Sequence, residues 1–400
     1  MTSPQAAFGK RTLGQLALEQ GDRALVRVDF NVPLKGGRVS DDSRIRAALP
    51  TIEDLRGRGA RLVLCSHLGR PQGRDPETSL APASERLSEL IDGRVRQAPE
   101  VVGPEVRREA SRLEPGDVLV LENTRWEPGE TDNDPELAGE LASLADVYVN
   151  DAFGAAHRAH ASTVGVAEHL PSAAGLLLER EVSTLAGIVE SPKRPFVVVL
   201  GGAKVTDKIE LIERFLELAD AILIGGAMCF AFFRAQGQAT GDSLLAQEDV
   251  PLAQRVLELA DESSCRLLLP SDLVLGDSFD EHASRREVEG TEVPDGWMGL
   301  DIGAGTADLY GDEISAAGTV FWNGPMGAFE LQPFALGTRT VAECVARASA
   351  TTVVGGGDSG AALVAFGLAE RVDHLSTGGG ASLELLEGKS LPGVEALADA

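Results

Sequence analysis

Two lysines follow a glycine pair in the middle of the chain, where a run of apolar residues gives way to a helical pattern. The segment Phe196–Leu218 reads FVVVLGGAKVTDKIELIERFLEL, and Lys204 and Lys208 are two of only six lysines in the chain. Glycines let backbone amides approach an anion closely, and a helix start adds unpaired N–H groups and a positive dipole end. If the helix begins near Val205, the two lysines lie one turn apart and can hold adjacent phosphate oxygens. The segment indicates phosphate binding, although a tight turn with solvated lysines explains the same residues.

Arginine and histidine side chains cluster in the first half of the chain, most of them just after apolar runs typical of strands. A guanidinium forks onto the oxygens of a phosphate or carboxylate. In an acidic protein, arginines at successive strand ends indicate a site for a small polyanion, although each arginine taken alone fits a solvated surface position. The polar residues of this cluster are Asp29, Asn31, Arg44, His67, Arg70, Arg125, His157, Arg158 and His160.

The second half of the chain has glycine turns in place of the arginines, which suits a nucleotide polyphosphate. Asp358 lies in the motif GGGDSG at residues 355–360. A hard cation that bridges phosphates takes carboxylate oxygens, so Asp358 is a candidate Mg²⁺ ligand. The same residue also fits a helix N-cap, and the two roles are compatible.

Composition narrows the function classes. The chain has 400 residues, of which 43% are apolar, and this length favours two domains with full cores. A formal net charge of −26 argues against binding to nucleic acid or to an anionic membrane, which both need a basic surface. The four cysteines have no CxxC or metal-site spacing and are expected to be reduced. With no signal-like or membrane-length apolar run, a cytoplasmic enzyme is expected. The acidity fits a halophilic or a solubility adaptation.

The elements that must position these residues alternate between short apolar strands and helical stretches. This alternation predicts an α/β fold of parallel sheets covered by helices on both faces, with ligands at the carboxyl ends of the strands. The predicted strands are 24–28, 61–65, 118–121, 147–149, 196–200, 221–224, 266–269, 319–322 and 351–354. The predicted helices are 47–58, 136–144, 252–262 and 338–348, with a further helix that follows Gly202 and begins near Val205.

A further helical run, Leu176–Ile188, lies between the two halves of the chain. Pro171 precedes it and Pro192 and Pro195 follow it, which is typical of helix boundaries. This run is therefore the predicted linker between two domains.

Several common catalytic devices are absent. A Walker loop needs a glycine where Leu383 stands before Gly388, Lys389 and Ser390, and no GxSxG, HRD or DFG motif occurs. Without a visible activated nucleophile, direct transfer between two bound ligands is more natural than a phosphoenzyme. Phosphoryl transfer depends chiefly on positioning and positive charge.

Eight motifs in order carry a resemblance to the phosphoglycerate kinase family, from about residue 10 to the C-terminus. They are RVDFNVP at 27–33, SHLGRP at 66–71, LENTRW at 121–126, NDAFGAAHRAHAST at 150–163, GGAKVTDKI at 201–209, FWNGPMGAFE at 321–330, GGGDSG at 355–360 and STGGGASLELLEGK at 376–389. The resemblance implies two doubly wound, Rossmann-like domains joined by a hinge helix. Its implied boundaries are 1–174 for the phosphoglycerate domain, 175–191 for the hinge, 192–375 for the nucleotide domain and 376–400 for a segment that returns to the first domain.

The resemblance also implies a reaction and its residues. The reaction is the glycolytic, reversible transfer of the acyl phosphate of 1,3-bisphosphoglycerate to Mg-ADP, giving 3-phosphoglycerate and ATP after hinge closure in a monomer. The implied acid ligands are Asp29, Asn31, Arg44, His67, Arg70, Arg125 and Arg158. The implied nucleotide ligands are Gly202, Lys204, Lys208, Gly226, Gly299, Asn323, Pro325, Glu330, Gly357, Asp358 and Ser359, with Asp358 holding the metal. The implied catalytic residues are Arg44, Lys204, Gly357 and Gly380.

Some positions depart from the family pattern. Ala304 and Gly305 replace the proline and charged residue usual after DIG, PSDLVLGD at 270–277 is a loose version of the nucleotide-loop segment, and Thr124 is unusual in LENTRW. The changes at 270–277 and at Ala304 and Gly305 bear on nucleotide preference more than on the reaction, and the motif with Thr124 keeps Arg125. A dinucleotide-binding oxidoreductase is disfavoured, because no GxGxxG follows an early strand with an acidic residue about 20 positions on. A non-catalytic binding protein of the same fold is the remaining alternative, which retention of Arg44, Lys204, Lys208 and Asp358 disfavours.

Overall fold

A computed structural model of the chain describes residues 8–400. The chain divides into two compact units, one formed by residues up to Thr184 together with Gly388–Ala400 and the other by Leu185–Glu387. Each unit is an α/β fold with a six-stranded sheet. The predicted fold class is confirmed. Among residues 8–400, no helix combines the length and the apolarity needed to cross a membrane.

The sheet of the first unit is entirely parallel, in the order β5-β6-β4-β1-β7-β8. Its central strands β1 and β4 are buried and mostly apolar after their first residues, Arg23 and Arg61, as expected when helices cover both sides. A hairpin of two short strands follows β1. The strands are β1 Arg23–Arg27, β2 Leu34–Lys35, β3 Arg38–Val39, β4 Arg61–Cys65, β5 Val95–Gln97, β6 Val118–Val120, β7 Val147–Asn150 and β8 Ser172–Ala174.

The sheet of the second unit is parallel in the order β11-β10-β9-β15-β16-β17, and a separate antiparallel sheet has the order β13-β12-β14. The strands are β9 Phe196–Leu200, β10 Ala221–Ile224, β11 Arg266–Leu268, β12 Asp272–Gly276, β13 Arg285–Glu289, β14 Met298–Ile302, β15 Thr319–Asn323, β16 Thr351–Gly355 and β17 His374–Leu375.

Helices connect most of these strands, and their apolar faces cover the sheets. The helices of the first unit are Ser43–Gly57, Ala81–Leu90, Pro104–Ser111, Pro135–Ala142 and Pro392–Glu395. The helices of the second unit are Ile209–Leu218, Cys229–Ala235, Asp249–Glu262, Ala304–Ala316, Leu336–Arg347, Gly357–Ala365 and Gly380–Leu386. The helix Leu176–Glu190 contains the boundary between the two units.

All nine predicted parallel strands are present, within one residue at each end. Most of the strands that the sequence did not reveal are short or polar, and the exceptions are the antiparallel strands Asp272–Gly276 and Met298–Ile302. Ser172–Ala174 has little apolar character, and Arg285–Glu289 is mostly exposed. The four cysteines are free thiols, three of them buried, as expected.

The helix that crosses the unit boundary is anchored by a buried carboxylate. Asp151 Oδ1 accepts hydrogen bonds from the backbone N–H groups of Leu177 (2.9 Å) and Leu178 (3.3 Å) in the first helical turn. A Cβ on Gly175 would lie 2.2 Å from Asp151 Oδ1, so only glycine lets the two segments approach this closely. Burial raises the pKa of Asp151 to about 7, while its hydrogen bonds oppose that change. The helix start is therefore held by Asp151, which follows β7, and by Thr51 Oγ1, which accepts from the backbone N–H of Leu176 at 2.9 Å.

The last residues of the chain pack on the first unit. Asn150 Nδ2 donates to the carbonyl of Gly393 at 2.9 Å, and the backbone N–H of Ala398 donates to Ser172 Oγ at 3.0 Å. Lys10 and Asp399 form an isolated antiparallel bridge. The first unit is thus built from two separate stretches of sequence.

Candidate functional site

The carboxyl ends of β1, β4 and β6 bring the predicted acid-site residues of the first unit together. Arg44 Nη1 lies 3.0 Å and 3.1 Å from the two carboxylate oxygens of Asp29. Asn31 Oδ1 accepts from the backbone N–H of Gly69 at 2.9 Å, and Arg125 Nη1 donates to the carbonyl of Gly69 at 2.5 Å. The loop after β4 is therefore held between side chains that follow β1 and β6.

Three of the predicted arginines line one cavity of about 420 Å³, together with Trp126 and neighbouring loop residues. These are Arg70, Arg125 and Arg158. Burial lowers the pKa of Arg125, and the nearby charges of Arg27 and Arg158 add to that effect. Guanidinium groups crowded in this way repel one another, and an anion between them relieves the repulsion. Arg44, Asp29, Asn31 and His67 do not line this cavity.

His67 is almost fully buried beside these groups, with 7% of its surface exposed. Burial lowers its pKa well below the ordinary value, and the positive charges of Arg27, Arg125 and Arg44 lower it further. His67 is therefore neutral at physiological pH. It contributes polarity to the site, and the arginines contribute the charge.

A buried polar network behind these residues was not predicted from the sequence. Arg27 and Glu130 are both fully buried, and the hydroxyl of Ser162 joins them, accepting from Arg27 Nε at 2.8 Å and donating to Glu130 Oε1 at 2.6 Å. Thr124 Oγ1 also donates to Glu130 Oε1, at 3.0 Å. The available signal was Arg27 itself, a charged residue within the otherwise apolar run 24–28. The unusual Thr124 thus has a structural role as a donor to Glu130.

In the second unit, Lys208 binds backbone carbonyls at the ends of two neighbouring strands. Its Nζ donates to the carbonyl of Gly201 at 2.6 Å and to that of Asn323 at 2.9 Å. Burial lowers the pKa of Lys208 to about 8, and the carboxylates of Asp358 and Asp207 oppose that change. Lys208 is therefore not a solvated surface lysine, because its ammonium group is hydrogen-bonded to two backbone carbonyls.

Lys204 differs from Lys208 in being exposed, and it forms no ion pair with any residue of 8–400. The expectation that the helix begins near Val205 is wrong, because the helix begins at Ile209. The backbone N–H groups of Val205 and Thr206 donate instead to the carboxylate of Asp249, which holds residues 203–208 in turns. The two lysines consequently do not lie on one helical turn.

The backbone N–H groups of the glycine pair before Lys204 are hydrogen-bonded within the unit. The backbone N–H of Gly201 donates to the carbonyl of Asn323 at 2.9 Å, and that of Gly202 donates to the carbonyl of Pro325 at 3.1 Å. A Cβ on Gly226, which has a φ of +66°, would lie 2.4 Å from the Gly202 nitrogen. The glycines at these strand ends therefore allow neighbouring backbone segments to pack closely against one another.

A cavity of about 550 Å³ lies beside these turns within the second unit. Its lining includes six of the predicted nucleotide residues, namely Gly202, Gly226, Gly299, Pro325, Glu330 and Asp358. The rest of the wall is largely apolar, with Leu244 and Phe279 each 65% exposed at its edge. Apolar walls with a few polar groups are typical of small-molecule sites. The apolar part was not predicted, because isolated Leu and Phe residues in loops carry no motif.

The other predicted residues of this half lie near the cavity in sequence but do not line it: Lys204, Lys208, Asn323, Gly357 and Ser359. Ser359 Oγ accepts from the backbone N–H of Gly324 at 2.6 Å, which gives it a structural role at the β15 end. Ala304 and Gly305 do not line the cavity either, and the N–H of Gly305 donates to Asp272 Oδ2 at 2.9 Å. Gly380 is the first residue of the Gly380–Leu386 helix.

Asp358 does not act as a helix cap. The helix begins at Gly357, the capping position belongs to Gly356 with a φ of +89°, and Asp358 is exposed in the first turn. Its carboxylate forms no ion pair with any residue of 8–400. No group of three or more His, Cys, Asp or Glu side chains within residues 8–400 is arranged to hold a metal ion. A cation at Asp358 would therefore share its coordination with a ligand, as Mg²⁺ does with phosphates.

Comparisons with known proteins agree with this geometry. A family model described as "Phosphoglycerate kinase" matches residues 15–389. The phosphoglycerate kinase of Chloroflexus aggregans is 56% identical over 387 residues, which covers 95% of this chain and 97% of that protein. The phosphoglycerate kinase of Moorella thermoacetica is 54% identical and covers 98% of this chain and 100% of its own length.

Solved structures give the same result. The phosphoglycerate kinase from Coxiella burnetii superposes with a TM-score of 0.87 at 39% identity, covering 97% of this chain and 98% of that one. The enzyme from Pyrococcus horikoshii superposes with a TM-score of 0.85 at 33% identity, with the same coverage. On this evidence, the chain belongs to the phosphoglycerate kinase family.

Proposed function

We propose that the chain catalyses the reversible transfer of a phosphoryl group from 1,3-bisphosphoglycerate to Mg-ADP, giving 3-phosphoglycerate and ATP in glycolysis. The observation that carries the proposal is the presence of two chemically different cavities, one in each unit. The arginine-lined cavity suits a small polyanion, and the apolar cavity with glycine turns suits a nucleotide base. Membership of the family supports pairing these two ligands in one reaction.

The acid site is assigned to the first unit. Arg70, Arg125 and Arg158 suit the phosphate and carboxylate of the glycerate, since they line one cavity. Asp29, Asn31, Arg44 and His67 complete the proposed set. Arg44 is held by Asp29, so its guanidinium is oriented before a ligand arrives.

The nucleotide site is assigned to the second unit. The cavity-lining residues Gly202, Gly226, Gly299, Pro325 and Glu330 are proposed contacts of ADP or ATP. Lys204, Lys208, Asn323, Gly357 and Ser359 are assigned to the same nucleotide. Asp358 suits a Mg²⁺ ion that accompanies the phosphates, because its carboxylate is exposed at the cavity and unpaired among residues 8–400. The ion would neutralise charge on the phosphates.

Transfer is proposed to occur directly between the two ligands. Lys204 and Arg44, with the backbone at Gly357 and Gly380, are assigned to the phosphoryl group in flight. Lys204 suits this role because it is exposed and lacks an ion-pair partner among residues 8–400, so no internal bond must break before it binds. A loose transition state needs positive charge more than covalent help.

The proposed function also implies which partners the enzyme binds, where it acts and how it is assembled. The partners are small molecules only, with no nucleic acid and no membrane, in agreement with the net charge of −26. The protein is proposed to be a cytoplasmic monomer. A non-catalytic binding protein of the same fold is the alternative, and a coupled assay with 3-phosphoglycerate and ATP distinguishes the two.

The two lysines should give different kinetic signatures in that assay. Lys204→Ala should lower kcat by about 100-fold or more with a modest change in the KM for ATP, since it removes a charge that acts in the transition state. Lys208→Ala should chiefly raise the KM for ATP. It should also lower the thermal midpoint, because Lys208 joins the ends of β9 and β15.

Lys193→Ala is the control, since Lys193 is an exposed lysine outside both cavities. Lys204→Arg is the sharper probe, because a planar guanidinium cannot replace a compact ammonium at one point. Near-normal turnover of Lys204→Arg would contradict the role proposed for Lys204.

Arg158→Ala should weaken 3-phosphoglycerate binding and leave ADP binding unchanged. Loss of one charge-assisted bond should cost about 1.5 to 3 kcal/mol. Isothermal titration calorimetry measures both affinities, with Arg46→Ala as the control because Arg46 pairs with Asp42 away from the cavity. A fall in ADP affinity with unchanged phosphoglycerate affinity would reverse the assignment of the two units.

Asp358→Asn should weaken the binding of Mg-ADP by about tenfold or more, and the binding of metal-free ADP far less. The substitution keeps size but removes the carboxylate charge that a hard cation prefers. Calorimetry with Mg²⁺ and with excess chelator measures the difference. Equal losses in both conditions would rule out a metal-binding role for Asp358.

Residues 175–191 are proposed as a hinge between domains 1–174 and 192–375, with 376–400 returning to the first domain. Ligands held by separate domains react only when their atoms approach to about 3 to 3.5 Å, so closure is required. Small-angle scattering should show a smaller radius of gyration when 3-phosphoglycerate and a non-hydrolysable ATP analogue are both present than with either alone. An unchanged radius would contradict hinge closure.

A further inference from the structure

One buried arginine contacts His67 through an atom whose chemistry allows a single hydrogen-bond direction. Arg27 Nη2 lies 3.1 Å from His67 Nδ1, and both side chains are buried. A guanidinium has only donors and stays protonated in proteins, so Nδ1 must be the acceptor. A neutral imidazole that accepts at Nδ1 carries its proton on Nε2. His67 therefore offers a donor at Nε2, which forms no hydrogen bond with any residue of 8–400.

The arginine is held in place by contacts that leave it little freedom. Its Nε donates to Ser162 Oγ at 2.8 Å and its Nη1 donates to the carbonyl of Val28 at 2.5 Å. Ser162 in turn donates two hydrogen bonds to the carboxylate of Glu130, one from its hydroxyl at 2.6 Å and one from its backbone N–H at 3.1 Å. A buried charge needs such partners, because desolvation alone would make it costly. The side-chain contacts of Arg27 fix the direction of Nη2.

The charges around His67 act in the same direction as this contact. Arg27 is on β1, Arg44 on the Ser43–Gly57 helix and Arg125 after β6, while His160 approaches from the loop after β7. All four disfavour the imidazolium form, and Glu130 is separated from Arg27 by Ser162. A proton added to Nδ1 would also replace an acceptor by a second donor facing Arg27.

From this geometry we propose that Arg27 is a positioning residue of the acid site, which fixes His67 as the neutral Nε2–H tautomer so that His67 donates to an oxygen of the bound phosphoglycerate. The proposal rests on the proposed function for the identity of the ligand and on the Arg27–His67 contact for the tautomer. Arg27 itself is buried, and it does not line the cavity that Arg70, Arg125 and Arg158 share. Its effect on the ligand passes through His67.

The tautomer can be measured on the unaltered chain without any ligand. The chain has six histidines, so a long-range ¹H–¹⁵N spectrum is simple to assign with the help of a His67→Gln variant. We expect an unprotonated Nδ1 and a protonated Nε2 on His67 from pH 5.5 to pH 8.5. An Nδ1–H tautomer, or titration of His67 near its ordinary pKa, would overturn the proposal even if no Arg27 variant folds.

The role of Arg27 is tested by Arg27→Gln, with Arg23→Gln as the matched control on the same strand. Arg23 pairs with Asp146 at 2.9 Å at the opposite end of β1. In Arg27→Gln, we expect the Nδ1–H tautomer to appear and the pKa of His67 to rise. The Michaelis constant for the phosphoglycerate substrate should increase about tenfold at pH 8, the loss expected for one hydrogen bond to a charged ligand. The Michaelis constant of this variant should fall again towards pH 6, because an imidazolium carries a proton on Nε2 whichever tautomer the neutral ring adopts.

A purely structural role for Arg27 gives a different result. In that case the Michaelis constant would rise by the same factor at every pH and the spectrum of His67 would keep its tautomer, which would overturn the proposal. Failure of the proposed function is distinguishable, since a chain without phosphoglycerate kinase activity would still report the tautomer of His67.

Discussion

Parallel pairing of six strands is the constraint on which the rest of each unit depends. In both sheets every strand is parallel to its neighbours, so all carboxyl ends meet at one edge. Helices cover both faces, so the strand interiors are largely apolar and most of the site residues lie where the strands end. The acid-site residues of the first unit and the glycine turns of the second occupy equivalent places for this reason. Chemistry is concentrated at the strand ends because the rest of the sheet excludes it.

The two units stabilise a cation near the sheet in different ways, Arg27 being fully buried and Lys208 partly buried. Arg27 is held through Ser162, with the carboxylate of Glu130 behind it, whereas Lys208 is held by two backbone carbonyls. Hydrogen bonds to a charged group contribute roughly 1.5 to 3 kcal/mol each, which offsets part of the desolvation that burial imposes. The carboxylate support in the first unit is compatible with several further arginines nearby. In the second unit the ammonium group of Lys208 links the turns after β9 and β15. The same side chain therefore stabilises the fold and is a proposed ligand of the nucleotide.

Much of this architecture was predictable because its signals are local. The strand Phe196–Leu200 is a continuous apolar run closed by glycines, and its bounds were predicted without error. The start of the next helix was not, because Asp249 binds the amides of Val205 and Thr206, which lie 44 and 43 residues before it in the chain. The Arg27–Ser162–Glu130 network was missed for the same reason, since its members are more than 30 residues apart. Side chains that follow strands are predictable from spacing, and the partners that orient them are not.

The return of the last residues to the first unit has a consequence for biosynthesis. Gly393 bonds to Asn150 and to the backbone of Ala156, and the Ala398 carbonyl accepts from the Arg11 N–H at 2.7 Å, so the amino-terminal unit gains these contacts only after the second unit has been translated. A nascent chain that still lacks residues 388–400 exposes the surfaces around Asn150 and Ser172 that those residues cover. The unit that is translated first therefore gains its last contacts only when residues 388–400 have been made. A fusion or truncation at the carboxyl terminus would therefore disturb contacts of residues near the amino terminus, such as the hydrogen bond of the Arg11 N–H.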